Sequence, residues 1–449
     1  MTGSKHLLQL GRRQFLLDCG LFQGLKALRL RNWQAPPVDP AGLEAILVSH
    51  AHLDHTGALP LWVRHGFRGP IVCTPGTADL LPLLLRDSAH LQEEDAALAN
   101  KGGYSTHHPA LPLYTLQDAE AALKLVERRP YDQPFALAPG VTVTFRRAGH
   151  ILGASTIEVQ LEGPPPLRLV YSGDLGRPHQ PILRDPEPIR EADVLLVEST
   201  YGNRTHAPDP TSALARIIQE AVQRGGALLI PAFAVGRAQE LLWMVRELEQ
   251  AGRIPSLPVY LDSPMAIDVT ALYCQHTEDH DVDMAALVRR HACPLEATWY
   301  HLTRTPEESQ ALERLTGPCL ILSASGMATG GRILHHLQAR LPDLHTTVLL
   351  AGYQAAGTRG RALQEGATTV KIHGQQIPVR AKIEVLDGLS AHADQGEILQ
   401  WLSGFRRAPR HLYLVHGEPE ASTVLAQVIQ STLHWPVSVA VDGARVPLT

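Results

Sequence analysis

Residues 49–55 read Ser-His-Ala-His-Leu-Asp-His, which puts His50, His52, Asp54 and His55 in one short stretch behind the apolar run EAILV. A lone histidine pair two residues apart is usually an accident of packing. Four metal-competent side chains in an H-x-H-x-D-H string are not so easily dismissed. A tight loop can send alternate side chains to two neighbouring points, so that His50 and His52 face one cation while Asp54 and His55 face another. Imidazole and carboxylate donors without thiolate suit Zn²⁺, and would also accept Mn²⁺ or Fe. Four ligands cannot fill two coordination shells, so others must come from a distance. His150 in AGHILGAS, Asp174 in YSGDLG and His416 in VHGEP are the further donors on offer. Taken singly, an Asp beside a Gly at a strand end is more often a turn residue, and the two histidines are ambiguous.

Position favours the collective reading. Seven apolar, strand-like runs are each followed by an acid or a histidine: QFLL by Asp18, EAILVS by His50, VTVTFRR by His150 and LRLVYSG by Asp174. ADVLLV is followed by Glu198, KIEVLDGLSA by His392 and HLYLV by His416. In layered α/β proteins the strand ends and the loops after them line the functional crevice, so these polar residues are expected to share one site. TGALPLWVRHG, directly behind the H-x-H-x-D-H string, reads as a short helix whose N-terminus adds positive potential there.

Composition bounds the rest. With 44% hydrophobic and 19% charged residues over 449 positions, the chain is a globular protein of two or three domains rather than a disordered one. No apolar run is long enough to span a bilayer and no secretory leader is evident, which predicts a cytoplasmic protein without a membrane partner. The formal net charge of −5 excludes a globally basic nucleic-acid binder, so any phosphate-binding surface must be local. The five cysteines (Cys19, Cys73, Cys274, Cys293 and Cys319) form no C-x-x-C and are expected to be buried free thiols.

The chain alternates short Val/Ile/Leu-rich runs with helical stretches, which predicts an α/β fold. Its middle repeats a strand–helix–strand order without any acid–histidine cluster: ALLIPAFAV, a helix carrying Leu241, Leu242, Val245 and Leu248 on one face, LPVYLDS, GPCLILS, RILHHLQARL and TTVLLAGYQ. This is expected to be an inserted domain over 204–367, with an outer domain formed by 1–203 and completed by 368–449. The turn SASGMATGGR matches neither a Walker A loop nor a G-x-G-x-x-G fingerprint. Between a strand and a helix it is either a tight turn or a phosphate cradle. Ser325, Gly326 and Arg332 are the substrate contacts that the second reading names, with Arg237 added, and the basic stretch around Arg359 and Arg361 could extend the path.

The ordered series Asp18, HAHLDH, His150 and Asp174 resembles the four signature motifs of the metallo-β-lactamase superfamily. Glu198, His392 and His416 resemble motifs A, B and C of its β-CASP branch, which includes RNase J and the endonuclease subunit of the cleavage and polyadenylation factor. IPAFAVGRAQELL, YLDSPMA, SASGMATGGRILHHL and GYQAAGTRGRAL are similar to further β-CASP signatures. The resemblance implies an αββα sandwich with an inserted parallel α/β β-CASP domain. It implies two Zn²⁺ ions per chain, one on His50, His52, His150 and Asp174 and the other on Asp54, His55, Asp174 and His416, with Asp174 bridging. Asp18 would orient a ligand histidine from behind. In relatives about ten residues usually precede the T-G-S near the start, so either the start is misassigned or truncated or one edge strand is lacking; the C-terminal domain that RNase J carries beyond motif C is not expected here.

The chemistry then implied is hydrolysis of single-stranded RNA. A hydroxide shared by the two ions would attack the phosphodiester in line, leaving a 5′-phosphate and a 3′-hydroxyl. His392 would be the general acid, oriented by Glu198, and Asp54 would complete the catalytic set. The alternative for both residues is structural: Glu198 as a cap and His392 as the start of a helix. Competing functions are a lactamase or thioesterase, which would not need an inserted domain, and a DNA-acting nuclease, in which the motif C histidine is typically apolar. A non-catalytic RNA-processing scaffold would have lost ligands that are all kept here. A homodimer is expected on resemblance alone.

Overall fold

The computed structural model describes residues 3–102, 107–207, 209–290, 293–355 and 357–448. Two compact units emerge. One comprises the described residues up to His179, Arg184–Thr205 and those from His392 on; the other is Gln180–Leu183 with His206–Ala391.

The first unit contains two sheets. In the smaller, the strands run in the order His6–Leu10, Arg13–Leu17, Ala45–Leu47, Ile71–Cys73 and Val126–Arg128. In the larger they run Val437–Val439, His411–Val415, Val194–Glu198, Leu167–Tyr171, Ser155–Leu161, Val141–Arg147 and Phe135–Ala138. Alternation of side chains along each strand sorts the cores. Phe15, Leu17, Ala45, Leu47 and Val72 face Val143, Phe145, Ile157, Leu169 and Tyr171 in a core shared by the two sheets. Their neighbours Leu16, Ile46, Ile71 and Cys73 point the other way, onto Leu59, Trp62, Leu81 and Leu85 of two helices. On the far face of the larger sheet, Val170, Leu195, Val197, Leu412 and Leu414 pack against Ile398, Leu402, Leu425 and Ile429. Helix, sheet, sheet, helix: the layers are those of the expected αββα sandwich.

The second unit has one six-stranded, all-parallel sheet ordered Tyr300–Leu302, Val259–Leu261, Cys319–Ser323, Ala227–Pro231, Thr347–Ala351 and Lys382–Leu386. Separate apolar cores cover its two faces, as helical crossovers on both sides require.

Three expectations need correction. The insertion does not end at 367. Val370, Ile372 and Ile377 of a hairpin lie in one of this unit's cores, and Lys382–Leu386 pairs in register with Thr347–Ala351, so the unit runs to Ala391. Consequently the strand expected to lead into His392 belongs to the second unit's sheet, while His392 itself belongs to the first unit. Cys274 and Cys293 are not free thiols: they form a disulfide, and only Cys19, Cys73 and Cys319 are buried and unbonded among the described residues. Among those residues no helix is long and apolar enough to cross a membrane.

Candidate metal centre

The site lies within the first unit, at the ends of its strands. Asp18 follows Arg13–Leu17, His150 lies beyond Val141–Arg147, Asp174 lies beyond Leu167–Tyr171, Glu198 ends its own strand, and His416 follows His411–Val415. His50 and His52 occupy the loop after Ala45–Leu47, whereas Asp54 and His55 are on a one-turn helix, Leu53–Thr56. Close backbone contacts hold these loops together. A Cβ on Gly20 would lie 1.6 Å from the Asp54 carbonyl oxygen, and one on Gly176 would lie 2.1 Å from the Gly149 carbonyl carbon. Only glycine allows the Asp18 and Asp174 loops to approach their neighbours so closely. Asp18 and His416 adopt left-handed backbone conformations, with φ of 58° and 50°. That conformation is costly for a residue with a side chain and clusters at functional sites.

Two groups of ligand atoms result. His50, His52, His150 and Asp174 form one; Asp54, His55 and His416 form the other, with ligand atoms inside each group lying within 4.8 Å of one another. His50 Nε2 is 3.1 Å from His52 Nδ1, and His150 Nε2 is 3.2 Å from the same Nδ1. In the second group His55 Nε2 is 3.2 Å from His416 Nε2, which is 3.2 Å from Asp54 Oδ2. Asp174 links the groups: its Oδ2 lies 3.5 Å from His50 Nε2, and its Oδ1 lies 3.3 Å from His55 Nε2 and 3.2 Å from His416 Nδ1. That Oδ1 is buried, with no hydrogen-bond partner among the described residues.

These distances test the fit of a cation. Tetrahedral zinc with Zn–N bonds of ~2.0–2.1 Å separates its ligand nitrogens by about 3.3 Å, close to the spacings found. Neutral imidazoles facing each other nitrogen to nitrogen need protons or a cation between them. Burial, and then His55, push His50 well below its ordinary pKa, and burial pushes His52 down to about 4. Both rings are therefore neutral donors at pH 7. Burial works to raise the Asp174 acid, but the surrounding imidazoles, His416 foremost, outweigh it and hold Asp174 ionised, well below the usual carboxylate range. Against burial, Asp174 and then Asp18 push His55 well above its ordinary value, a positive charge beside Asp174 that a divalent cation would replace. The residues fit the group.

Beside the ligands lies a second pair. His392 Nδ1 is 3.1 Å from both oxygens of Glu198. Glu198 is fully buried, and its Oε1 accepts the Leu175 amide at 2.6 Å. The same turn fixes the histidine, because the Ala393 amide donates to the Leu175 carbonyl at 2.7 Å. Asp394 then caps the helix Gln395–Ser403 through a capping box with Glu397. Burial alone would favour a neutral ring. Glu198 first and then Asp174 outweigh it and push His392 up to about 9.

Three family descriptions match this chain: a beta-lactamase superfamily domain over residues 13–231, a Beta-Casp domain over 238–363 and a Zn-dependent metallo-hydrolase RNA specificity domain over 376–440. Over 450 residues it is 37% identical to a ribonuclease of Thermus thermophilus, covering 100% of this chain and 97% of that one. The chain belongs to the β-CASP branch of the metallo-β-lactamase superfamily. It is also 31% identical over 438 residues to an RNase J-like protein of Methanocaldococcus jannaschii (96% of this chain, 94% of that protein). To a transcription termination factor of Methanosarcina mazei it is 30% identical over 440 residues (95% and 67%). As a β-CASP protein it is a metal-dependent hydrolase.

Ser325, Gly326, Arg332 and Arg237 lie in the second unit, which contains the Beta-Casp match. Their surroundings are more structural than expected. Arg332 donates to Asp262 Oδ1 at 2.7 Å and to the carbonyls of Thr303 and Arg304. Arg237 is buried, paired with Glu240 and bonded to the Leu389 carbonyl at 2.7 Å. Arg359 donates to the Lys371 carbonyl at 2.6 Å, and Arg361 pairs with Glu365. Ser325 Oγ accepts the Thr329 amide at 3.0 Å.

Sequence reasoning missed several residues that hold the ligands. Tyr171 donates its hydroxyl to Asp18 Oδ2 at 2.7 Å, and Thr200 Oγ1 donates to the His416 carbonyl at 3.0 Å. Ser49 contacts both Asp18 and His50. The only advance signal for Tyr171 was a phenol ending the apolar strand LRLVY, where its hydroxyl must find a partner.

Proposed function

We propose that this chain cleaves single-stranded RNA by hydrolysis, leaving 5′-phosphate and 3′-hydroxyl ends. The Thermus relative is named as a ribonuclease and the Methanocaldococcus relative as RNase J-like, which supports RNA as the substrate. The observation that carries a hydrolytic reading is the pair of ligand groups meeting at Asp174. His50, His52, His150 and Asp174 would hold one Zn²⁺, and Asp54, His55, His416 and Asp174 the other. Bound there, two divalent cations supply a nucleophile from water at neutral pH and neutralise charge on the phosphoryl oxygens.

The chain's own residues supply the proton. Glu198 is a fixed, buried carboxylate that orients His392 through Nδ1 and favours its charged form. His392 then gives a proton to the 3′ oxygen as its bond to phosphorus breaks, so that an alcohol leaves rather than an alkoxide. Among the candidate phosphate contacts of the second unit, Arg332, Arg237 and Ser325 all have partners within the protein. Incubation with end-labelled single-stranded RNA and matching DNA, with and without a chelator, tests the reading. Chelator-sensitive cutting of RNA ahead of DNA is expected. Cutting of DNA alone, or of neither polymer, would overturn it.

A further inference from the structure

Asp18 is surrounded by donors. Its Oδ1 accepts the Ser49 amide at 2.7 Å; its Oδ2 has the Ser49 hydroxyl, the Tyr171 hydroxyl and His55 Nδ1 each at 2.7 Å. All of these groups are buried. A carboxylate oxygen with three donor groups at 2.7 Å serves as their acceptor, so each partner turns its hydrogen toward Asp18. His55 donates from Nδ1, which directs its Nε2 at Asp174 and His416. Ser49 spends its one hydroxyl proton on Asp18. The contact of 3.1 Å between Ser49 Oγ and His50 Nδ1 can then be a hydrogen bond only if His50 is the donor. That puts the proton of His50 on Nδ1 as well and leaves its Nε2 for the group with His52 and Asp174.

We propose that Ser49 is a positioning residue that relays the orienting effect of Asp18 to His50. One buried carboxylate thereby orients a ligand ring in each group: His55 directly, and His50 through a single hydroxyl. The inference rests on the reading that these groups hold cations. It goes further in coupling the two groups through His50, Ser49, Asp18 and His55, on the side of the rings away from the ligand atoms. Partners behind a ligand histidine fix its orientation and raise its basicity, and losing one weakens metal binding by about 10–100-fold.

The test is a titration of the full, chelator-stripped protein with Zn²⁺ against a chromophoric competitor, which resolves two dissociation constants. Ser49→Ala removes the relay but leaves Asp18 its contacts with His55 and Tyr171. It should raise one constant at least about tenfold and leave the other within about twofold. Asp18→Asn should raise both. Ser49→Cys, a weaker donor of similar shape, should raise the same single constant by less, and it takes over the test if the alanine variant does not fold. Unchanged constants in Ser49→Ala, or two constants that rise together, would overturn the relay while leaving the metal centre standing. A wild-type chain that takes up no zinc would overturn both.

Discussion

Replacing Glu198 by Gln should shift the alkaline limb of the pH–rate profile to lower pH. Glutamine is nearly isosteric and keeps an oxygen for the Leu175 amide, so the loop that carries Asp174 should stay in place. What disappears is a negative charge 3.1 Å from His392 Nδ1. At an effective dielectric of about 20, opposite charges at that distance attract by on the order of 5 kcal/mol, an upper bound. Asp174, at 3.8 Å, still supports the charged ring, so a drop of about 1–3 pKa units is expected. The sign follows from the role. An acid works while protonated, so activity is full below its pKa and is lost as pH rises through it. A fall of about two units, from about 9, leaves the variant about tenfold slower near pH 8 and close to wild type near pH 6. Cations in the site would lower both values alike, so the difference carries the test. The assay is kcat/KM on a short end-labelled RNA across this range at saturating zinc, with zinc content checked. A substrate whose leaving group needs no proton, such as bis-p-nitrophenyl phosphate, should show little difference. If the alkaline limb of Glu198→Gln coincides with that of wild type, His392 is not the acid that Glu198 sustains.

Other parts of the account can be checked independently. His416→Ala should reduce bound zinc from two to one per chain by elemental analysis, since it strips one ligand group while His50, His52 and His150 keep theirs; two retained ions would remove His416 from the centre. Gly20→Ala must move the Asp54 backbone, because its Cβ would overlap the carbonyl oxygen. Destabilisation of about 3 kcal/mol by denaturant titration is expected, and a loss below about 0.5 kcal/mol would contradict the packing. In the second unit, buried Asp262 accepts from His336 Nε2 and Ser309 at 2.6 Å each and from Arg332 at 2.7 Å. Burial alone would raise its acid, but these partners together hold it below the usual range. Its contribution should be complete above about pH 4 and be lost as pH falls through the lower folded-state value. The stability gap between wild type and Asp262→Asn should therefore close only under acid, and a gap that instead closes as pH rises from about 6 to 8 would point to a histidine.

The parts of this protein that could be read in advance are those encoded locally. Asp18, His50, Asp174 and His416 each follow an apolar strand, and the ends of strands in one unit converge whatever their separation along the chain. The alternation of Leu16 with Leu17 and of Ile46 with Leu47 likewise declares a sheet buried on both faces. Partners remote in sequence were not legible. Nothing around Arg332 reveals that Asp262, seventy positions earlier, shares its guanidinium. The strand Lys382–Leu386 was recognisable as a strand, but its apolar pattern does not say which sheet it joins. The pairing with Thr347–Ala351 decided that, and with it the boundary of the insertion. Cys274 and Cys293, nineteen positions apart, carry no spacing signature of a bridge. Tyr171 and Ser49 matter only because a carboxylate from another strand is buried between them.

Anomalous diffraction at the zinc edge, from crystals of the zinc-loaded protein, tests the central claim most directly. The account predicts two peaks on either side of the Asp174 carboxylate, one against His50, His52 and His150, the other against Asp54, His55 and His416. A single peak, or density held by any other set of side chains, would contradict it.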